Sequence, residues 1–225
     1  SGDSTVVYAL AFARAVEAAT ETEIPARAHW LRALMAELER LANHCGDIGA
    51  VCNDAAFALM LALCAVLRER VLRASAACFG HRLLMDCVIP GGVAVDLPAD
   101  GVPILRALLA EMRRAFPPLV ELYDNTASLQ DRTANTGTLD PTLVQQFGCG
   151  GVIGRAAGRA FDARREPGYP PYDQLEFEVP VRRESDVNAR VWIRIREVEQ
   201  SLALIERILE RLPSGPVHGA LNPPG

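Results

Sequence analysis

The chain has 225 residues, 50% of them hydrophobic and 23% charged, which suffices to bury a full core and excludes a disordered or collagen-like protein. Its formal net charge of −5 argues against a nucleic-acid binder, because no excess of cations is present to neutralise phosphates. All 23 basic residues are arginines, which excludes a lysine nucleophile and the lysine of a phosphate-binding P-loop.

The first two predicted elements are helices. Asp3 or Ser4 can cap a first helix that runs to about Ala19, and Pro25 suits the first turn of a second helix. The second helix should bury one face, because its apolar residues recur at spacings of three and four. These residues are Leu31, Leu34, Leu38, Leu41, Cys45 and Ile48.

A third helix is predicted after Asp54, which can serve as its N-cap, and Gly80 is placed to end it near Phe79. The uncharged stretch 55–67 is shorter than the roughly 20 residues that cross a bilayer, so it predicts a buried core helix. The next stretch, 81–95, contains a proline followed by two glycines and should form a turn between short extended pieces.

The second half of the chain should alternate between helices and irregular structure. A fourth helix is predicted over 102–126, bent or interrupted at Pro117 and Pro118. A short helix should begin at Asp140, and 175–179 is a predicted short strand.

The last helix is predicted over 187–212, where apolar residues occupy one face along the whole length. The predicted fold class is therefore mostly α, a helical bundle core with a small irregular α/β insertion. The predicted core covers 1–147. The insertion, rich in glycine, proline and tyrosine, covers 148–180, and 181–225 holds the final core helix and a tail.

Two patterns point away from a metal centre and a nucleotide site on this chain. None of the six cysteines stands in a CxxC pair, so we expect buried thiols rather than a disulfide framework or a metal site. The glycine-rich segment 148–154 has the spacing GxGxxxG after a predicted helix, whereas a dinucleotide site needs strand, tight turn and helix in that order. We therefore expect no bound NAD or NADH.

A polar cluster lies where the second predicted helix meets the third. His44, Asp47 and Asp54 stand there among apolar neighbours, and a desolvated carboxyl group acquires a pKa that suits proton transfer. Two interpretations remain open. Either Asp54 is a cap and His44 hydrogen-bonds a carbonyl, or the two residues take part in acid–base chemistry.

A charged run in the insertion is accompanied by aromatic side chains. It is either a solvated face or a docking surface, because aromatic residues and arginines anchor many interfaces. The charged residues are Arg155, Arg159, Asp162, Arg164 and Arg165, and the aromatic ones are Phe161, Tyr169, Tyr172 and Phe177.

Four blocks, in order along the chain, are recognisable. They are ELERLANH (37–44) with 47–49 and 53–54, then 81–93, then 154–172, and finally 194–197 with Ser201 and 212–213. Together they resemble a large-subunit family that two respiratory machines share. One is the forty-nine-kilodalton (D-type) subunit of NADH:quinone oxidoreductase, or complex I, and the other is the large subunit of energy-converting NiFe hydrogenases, including formate hydrogenlyase.

The resemblance implies the hydrogenase large-subunit fold, truncated at both ends, and electron transfer from an iron–sulfur cluster on a partner subunit to quinone. By the same resemblance Asp54 is expected to line the reaction cavity as a catalytic acid, with His44 in support. Arg155, Asp162, Arg164 and Tyr172 would dock neighbouring subunits. No cofactor is expected on this chain, and the isolated chain is expected to be inactive.

Two alternatives remain. The sequences at 53–57 and 81–85 are the more hydrogenase-like, but the CxxC pairs with which that branch holds its NiFe centre are missing from this chain. The chain could also be a scaffold without redox chemistry. The resemblance places the protein in the cytoplasm, held by partner subunits at the face of the inner membrane and without a membrane span of its own.

Overall fold

The computed structural model describes residues 3–223, of which 65% are helical, and this confirms the mostly α class. The helices are α1 Thr5–Ala19, α2 Ala26–Asp54, α3 Ala58–Phe79, α4 Gly101–Asn125, α5 Ala127–Thr133, α6 Pro141–Gln146, α7 Gly151–Ala156 and α8 Val187–Arg211. Strands β1 Val88–Ile89 and β2 Gly92–Val93 pair antiparallel between α3 and α4. A π turn at Arg164–Gly168 and a 3-10 turn at Tyr172–Gln174 lie between α7 and α8.

The chain divides into two compact units, and the four long helices α2, α3, α4 and α8 each contribute residues to both. Unit 1 comprises 1–43, 69–111 and 202–225, and unit 2 comprises 44–68 and 112–201. The division into three segments that composition suggested stays a prediction.

Each unit has its own apolar interior. In unit 1 the fully buried side chains include Leu31, Leu34, Met35 and Leu38 of α2, Leu105 and Leu109 of α4, and Ile205 and Ile208 of α8. In unit 2 they include Ile48 of α2, Met60 of α3, Met112 and Tyr123 of α4, and Val191 and Val198 of α8. In α2 and α8 the face that the 3.6-residue periodicity predicted to be apolar is therefore the face that packs into these interiors.

The N-terminus of α1 is capped by a residue from another helix. Ser4, at the N-cap position, makes no capping hydrogen bond with its side chain. Instead the Glu39 carboxylate of α2 accepts hydrogen bonds from the backbone N–H groups of Val6, at 2.5 Å, and Val7, at 3.2 Å. Burial raises the pKa of Glu39, although these two hydrogen bonds act in the opposite direction. Backbone N–H groups in the first turn of a helix have no acceptor within that helix, and here a residue of α2 supplies one for two of them.

The predicted boundary between the second and third helices is wrong. Asp54 is the last residue of α2 and not the N-cap of α3, which begins four residues later at Ala58. Ala56 adopts a positive φ of 61°, and the Phe57 N–H donates to the Cys52 carbonyl at 2.8 Å. This hydrogen bond closes the end of α2 in the manner of a left-handed C-terminal turn, for which no glycine is present to give a signal.

The uncharged stretch 55–67 is not the buried core helix that its composition predicted. Only one side of this part of α3 is buried, at Met60, Cys64 and Leu67. On the other side Leu59 is 55% exposed and Val66 is 52% exposed, with three alanines of α3 exposed beside them. An apolar helix face without a single charge is unusual on a solvated surface.

Two further predictions need correction. Helix α4 runs through Pro117 and Pro118 without interruption, so the predicted interruption is wrong, whereas the alternative of a bend stays a prediction. Residues 175–179 form no strand, because no neighbouring strand is described within 3–223 to pair with them, and the Phe177 side chain packs on Tyr172 instead. The short helix at Asp140 is confirmed, and the Asp140 carboxylate caps it by accepting from the Thr142 N–H at 2.8 Å.

The described helices include none that combines the length and the apolar character required to cross a bilayer.

Candidate functional site: a buried His–Glu–Arg cluster

His44 lies in a buried ionic cluster in unit 2. Its Nε2 atom is 2.6 Å from Oε2 of Glu197, on α8. The other carboxylate oxygen of Glu197 is 2.5 Å from Nε of Arg155, on α7. The side chains of Glu197, Arg155 and His44 are 1%, 6% and 9% exposed, so that one carboxylate bridges an imidazole and a guanidinium away from water.

Local structure explains how Arg155 reaches this position. Helix α7 begins at Gly151 with a positive φ of 61°, which lets the chain turn sharply out of the preceding glycine-rich loop. The segment just before α8 then fixes the helix, because Arg155 and Ala156 accept backbone hydrogen bonds from Arg182 and Ser185 at 2.9 and 3.0 Å. The Arg155 side chain also donates to the Phe161 carbonyl at 3.1 Å.

A second ionic pair lies one helical turn along the same two helices. Nε of Arg194 donates to Oδ2 of Asp47 at 2.9 Å, and the Asp47 side chain is 52% exposed. His44 and Asp47 are three residues apart on α2, and Arg194 and Glu197 are three residues apart on α8. The His44–Glu197 and Asp47–Arg194 pairs therefore connect α2 and α8 at positions one helical turn apart. The first pair is buried and the second faces solvent.

Asp54 does not join this cluster. It is exposed at the C-terminal end of α2, ten positions after His44, which corresponds to about 15 Å along the helix axis. Nearby, the Arg132 guanidinium donates to the Ala55 carbonyl at 2.6 Å, at the end of the same helix. Of the three residues that the sequence grouped together, the structure places His44 and Asp47 one turn apart and Asp54 elsewhere.

The four residues predicted to dock partners are all buried. Arg155 belongs to the cluster around Glu197, and Asp162 and Arg164 form a bidentate pair with N–O distances of 3.0 and 2.7 Å. The guanidinium of Arg164 lies 4.6 Å from the ring centre of Phe177, which meets Tyr172 edge-on. These side chains hold the segment together, and their role in docking a partner stays a prediction.

The same segment lines an open cavity of about 640 Å³. Its buried wall includes Arg164, Tyr172 and Phe177, whereas Arg165, Asp173 and Glu176 are exposed at its edge. The Arg165 guanidinium stacks on Phe177 at 5.2 Å from the ring centre. A cavity with a buried aromatic wall and a charged edge suits a small polar or peptide-like group better than an apolar ligand.

The cysteines behave as small buried apolar residues. None of the six forms a disulfide, and all but Cys149 are buried. Burial raises the pKa of the Cys52 and Cys78 thiols to about 11, so they stay protonated near neutrality. In residues 3–223 no three His, Cys, Asp or Glu side chains converge in a way that could hold a metal ion.

The glycine-rich segment 148–154 follows helix α6, as the sequence predicted, and its second half lies in helix α7.

The residue that sequence reasoning missed is Glu197. Its only signal was its place in the recognisable block 194–197, since the partners His44 and Arg155 lie 153 and 42 positions away and only the fold brings the three together.

The family described as the 49-kDa subunit of respiratory-chain NADH dehydrogenase matches residues 23–223. A D-type NADH-quinone oxidoreductase subunit of Roseiflexus sp. (strain RS-1) is 34% identical over 214 residues, covering 95% of this chain and 57% of the relative. The D-type subunit of Desulfotalea psychrophila is 31% identical over 95% of this chain and 58% of the relative, and that of Dehalococcoides mccartyi is 32% identical over 95% and 60%.

The chain thus spans somewhat more than half the length of these curated relatives. Within that part the family match runs over every helix from α2 to α8 and includes His44, Arg155 and Glu197. The chain belongs to the family of the 49-kDa subunit of respiratory-chain NADH dehydrogenase.

Proposed function

We propose that this chain forms the central part of a D-type subunit in an NADH:quinone oxidoreductase complex. There it would help to pass electrons from an iron–sulfur cluster on a partner subunit to quinone. The observation that carries this proposal is the family match over 23–223, together with relatives that are named as D-type subunits of NADH-quinone oxidoreductase. The complex would hold the chain at the cytoplasmic face of the inner membrane through its partners.

Asp54 is the proposed cavity acid. Its exposure at the end of α2 supports this role, because an exposed carboxylate is available to a substrate or to a neighbouring subunit. His44 is the proposed supporting group and acts from within the buried cluster, since about 15 Å of helix separates it from Asp54. The helix, and not a direct contact, would connect the two residues.

Docking of partners is proposed for two surfaces of unit 2. The first is the edge of the cavity in 164–177, where exposed charges surround an aromatic wall that Arg164 and Tyr172 hold in place. The second is the exposed apolar face of α3 around Leu59 and Val66. Both have the character of a surface that another subunit covers.

The test of this function is turnover in the intact complex. We expect Asp54→Asn to assemble normally and to lower NADH:quinone turnover at least tenfold, because an amide cannot carry the proton. Asp54 caps no helix, so the substitution should leave the unfolding midpoint unchanged. Asp131→Asn is the matched control, since Asp131 is an exposed acid on α5 of the same unit, and it should retain full turnover.

Three outcomes are informative. Full turnover of an assembled Asp54→Asn complex would remove Asp54 from the proposed site. A wild-type complex that evolves hydrogen and reduces no quinone would favour the hydrogenase alternative, which the sequence at 53–57 and 81–85 suggests. A complex that needs this chain to assemble but neither reduces quinone nor evolves hydrogen would leave only the scaffold.

A further inference from the structure

The α2–α3 turn, residues 54–57, carries Asp54 and has a strained backbone. Asp54 is the last residue of α2, and Ala56, two residues later, has a φ of 61°. This left-handed conformation suits glycine and is unfavourable for a residue with a β-carbon. A hydrogen bond from the Ala56 N–H to the Asn53 carbonyl, at 2.9 Å, joins the one from Phe57 in closing the turn.

A different helix binds one carbonyl group of this turn. The Arg132 guanidinium of α5 donates to the Ala55 carbonyl at 2.6 Å. Carbonyl groups at the end of a helix receive no hydrogen bond from within it and lie at the negative end of the helix dipole, so a cation binds them well. A charged donor also makes a stronger hydrogen bond than a neutral one. Arg132 therefore ties the residue next to Asp54 to another element of unit 2.

Arg132 can hold the turn because its own helix is fixed. The next residue, Thr133, is 1% exposed, and its hydroxyl donates to the Leu129 carbonyl at 2.7 Å. The hydroxyl of the buried Tyr123, on α4, lies 3.3 Å from that of Thr133 and donates to Oδ1 of Asn188 at 2.7 Å. Since Asn188 is in the first turn of α8, these hydrogen bonds join α5 to both α4 and α8.

We propose that Arg132 is a positioning residue, which holds the α2–α3 turn in its left-handed form and so fixes where the Asp54 carboxylate lies. It acts through the backbone of Ala55. Without Arg132, a change of the turn would relieve the strain at Ala56, and the carboxylate would move with it. The expected effect on turnover rests on the proposed function, in which Asp54 is the cavity acid.

The first measurement is hydrogen exchange at the Phe57 N–H in the full chain, which reports opening of the turn. In Arg132→Met this exchange should accelerate about tenfold, because the turn opens more easily without the bond to Ala55. Arg132 is exposed, so the urea midpoint of unfolding should stay close to that of the wild type. Arg183→Met is the matched control, since Arg183 is an exposed arginine of the same unit, and it should change neither property.

The second measurement is NADH:quinone turnover in the intact complex. We expect Arg132→Met to lower kcat about threefold to tenfold and to leave KM for quinone unchanged, because a displaced acid slows the reaction without weakening substrate binding. The double variant Arg132→Met with Asp54→Asn should turn over as slowly as Asp54→Asn alone, since there is then no carboxyl group to position. Two independent roles would instead multiply the two losses.

The third measurement uses Ala56→Gly to relieve the strain directly. A glycine adopts a φ near 61° as readily as a negative one. In the Arg132→Met background, Ala56→Gly should therefore restore slow exchange at Phe57 and most of the lost turnover. A rescue at this residue would link the effect of Arg132 to the left-handed turn.

The proposal is overturned if Phe57 exchanges at the wild-type rate in Arg132→Met, if the losses multiply in the double variant, or if Ala56→Gly restores neither property. A complex in which Asp54→Asn lowers turnover and Arg132→Met does not would also contradict it. The exchange measurement does not depend on turnover. Full turnover of Asp54→Asn would therefore count against the proposed function, whereas unchanged exchange at Phe57 counts against the role of Arg132, and either can fail alone.

Discussion

Replacing Arg32 with methionine should lower the free energy of unfolding by about 3–5 kcal/mol, because it leaves a buried carboxylate without its cation. Arg32 of α2 is 2% exposed and donates to both oxygens of Glu17, at 3.0 and 2.5 Å. It also donates to the backbone carbonyls of Gly92, at 3.0 Å, and Ile89, at 2.8 Å. A single guanidinium thus joins α1, α2 and the β1–β2 turn within unit 1.

Urea denaturation at pH 7 measures this loss, and Arg73→Met is the matched control. Arg73 pairs with Glu69 on an exposed face of α3, where its side chain is 81% exposed, so its removal should cost far less than the removal of Arg32. The double variant Arg32→Met with Glu17→Leu should recover part of the stability, since it removes both charges. A loss of similar size in Arg32→Met and Arg73→Met would contradict this account.

Glu17 makes the stability of unit 1 dependent on pH. Burial alone would raise the pKa of Glu17, but hydrogen bonds from Arg32 and the Gly91 N–H and the charge of Arg32 together outweigh burial and lower it from 4.5. The folded protein therefore holds this proton less tightly than the unfolded chain. Its contribution is complete above about pH 4.5 and is lost as the pH falls through the lowered value.

The measurement for Glu17 compares the wild type with Glu17→Gln in urea from pH 7 down to pH 3. The difference in unfolding free energy should be largest near neutrality and should shrink below pH 4.5. A difference that stays constant over this range would mean that the Glu17 carboxylate has the same pKa in the folded and unfolded chains.

Gly92→Ala should destabilise the chain by about 3 kcal/mol, a value that combines backbone strain with a steric clash. Gly92 has a φ of +153°, and a β-carbon there would run into the Val217 carbonyl oxygen and approach Cα of His218 to 2.9 Å. The same turn binds the chain after α8, because the Val93 N–H donates to Val217 and the Gly219 N–H donates to Gly91, both at 2.9 Å.

Gly80→Ala is the control for Gly92→Ala. Gly80 has a φ of +78°, but nothing lies within 4 Å of the position of a β-carbon, so its substitution should cost only the strain, about 1 kcal/mol. Hydrogen exchange at Val93 and Gly219 should accelerate in Gly92→Ala and stay unchanged in Gly80→Ala. Equal losses of stability in the two variants would show that a β-carbon at position 92 does not clash with the chain after α8.

The sequence predicts most helices because their information is local. In α2 and α8 apolar residues repeat along one face, and at α6 the Asp140 carboxylate caps the helix that follows it. The end of α2 was missed because Ala56 adopts a left-handed conformation without a glycine, and Asp54 offered a more familiar signal in the wrong place. Residue propensities cannot predict a helix end at which a residue other than glycine adopts the left-handed conformation.

The candidate site was only partly predictable. His44 could be identified as a polar residue on an apolar helix, but its partner Glu197 is 153 positions away, and no local pattern joins them. Arg155 and Arg164 were grouped by composition as one charged surface, whereas the structure buries each of them against a different carboxylate. Sequence spacing reports neighbours along a helix and says nothing about which helices meet.

The cap that Glu39 provides for α1 bears on the order in which the chain folds during synthesis. Val6 and its acceptor are 33 residues apart, so the first turn of α1 leaves the ribosome well before the carboxylate that satisfies it. An uncapped helix of this length frays at its start. The first turn of α1 should therefore become ordered only after α2 has been made, and a nascent chain that is stalled before Glu39 would leave it open.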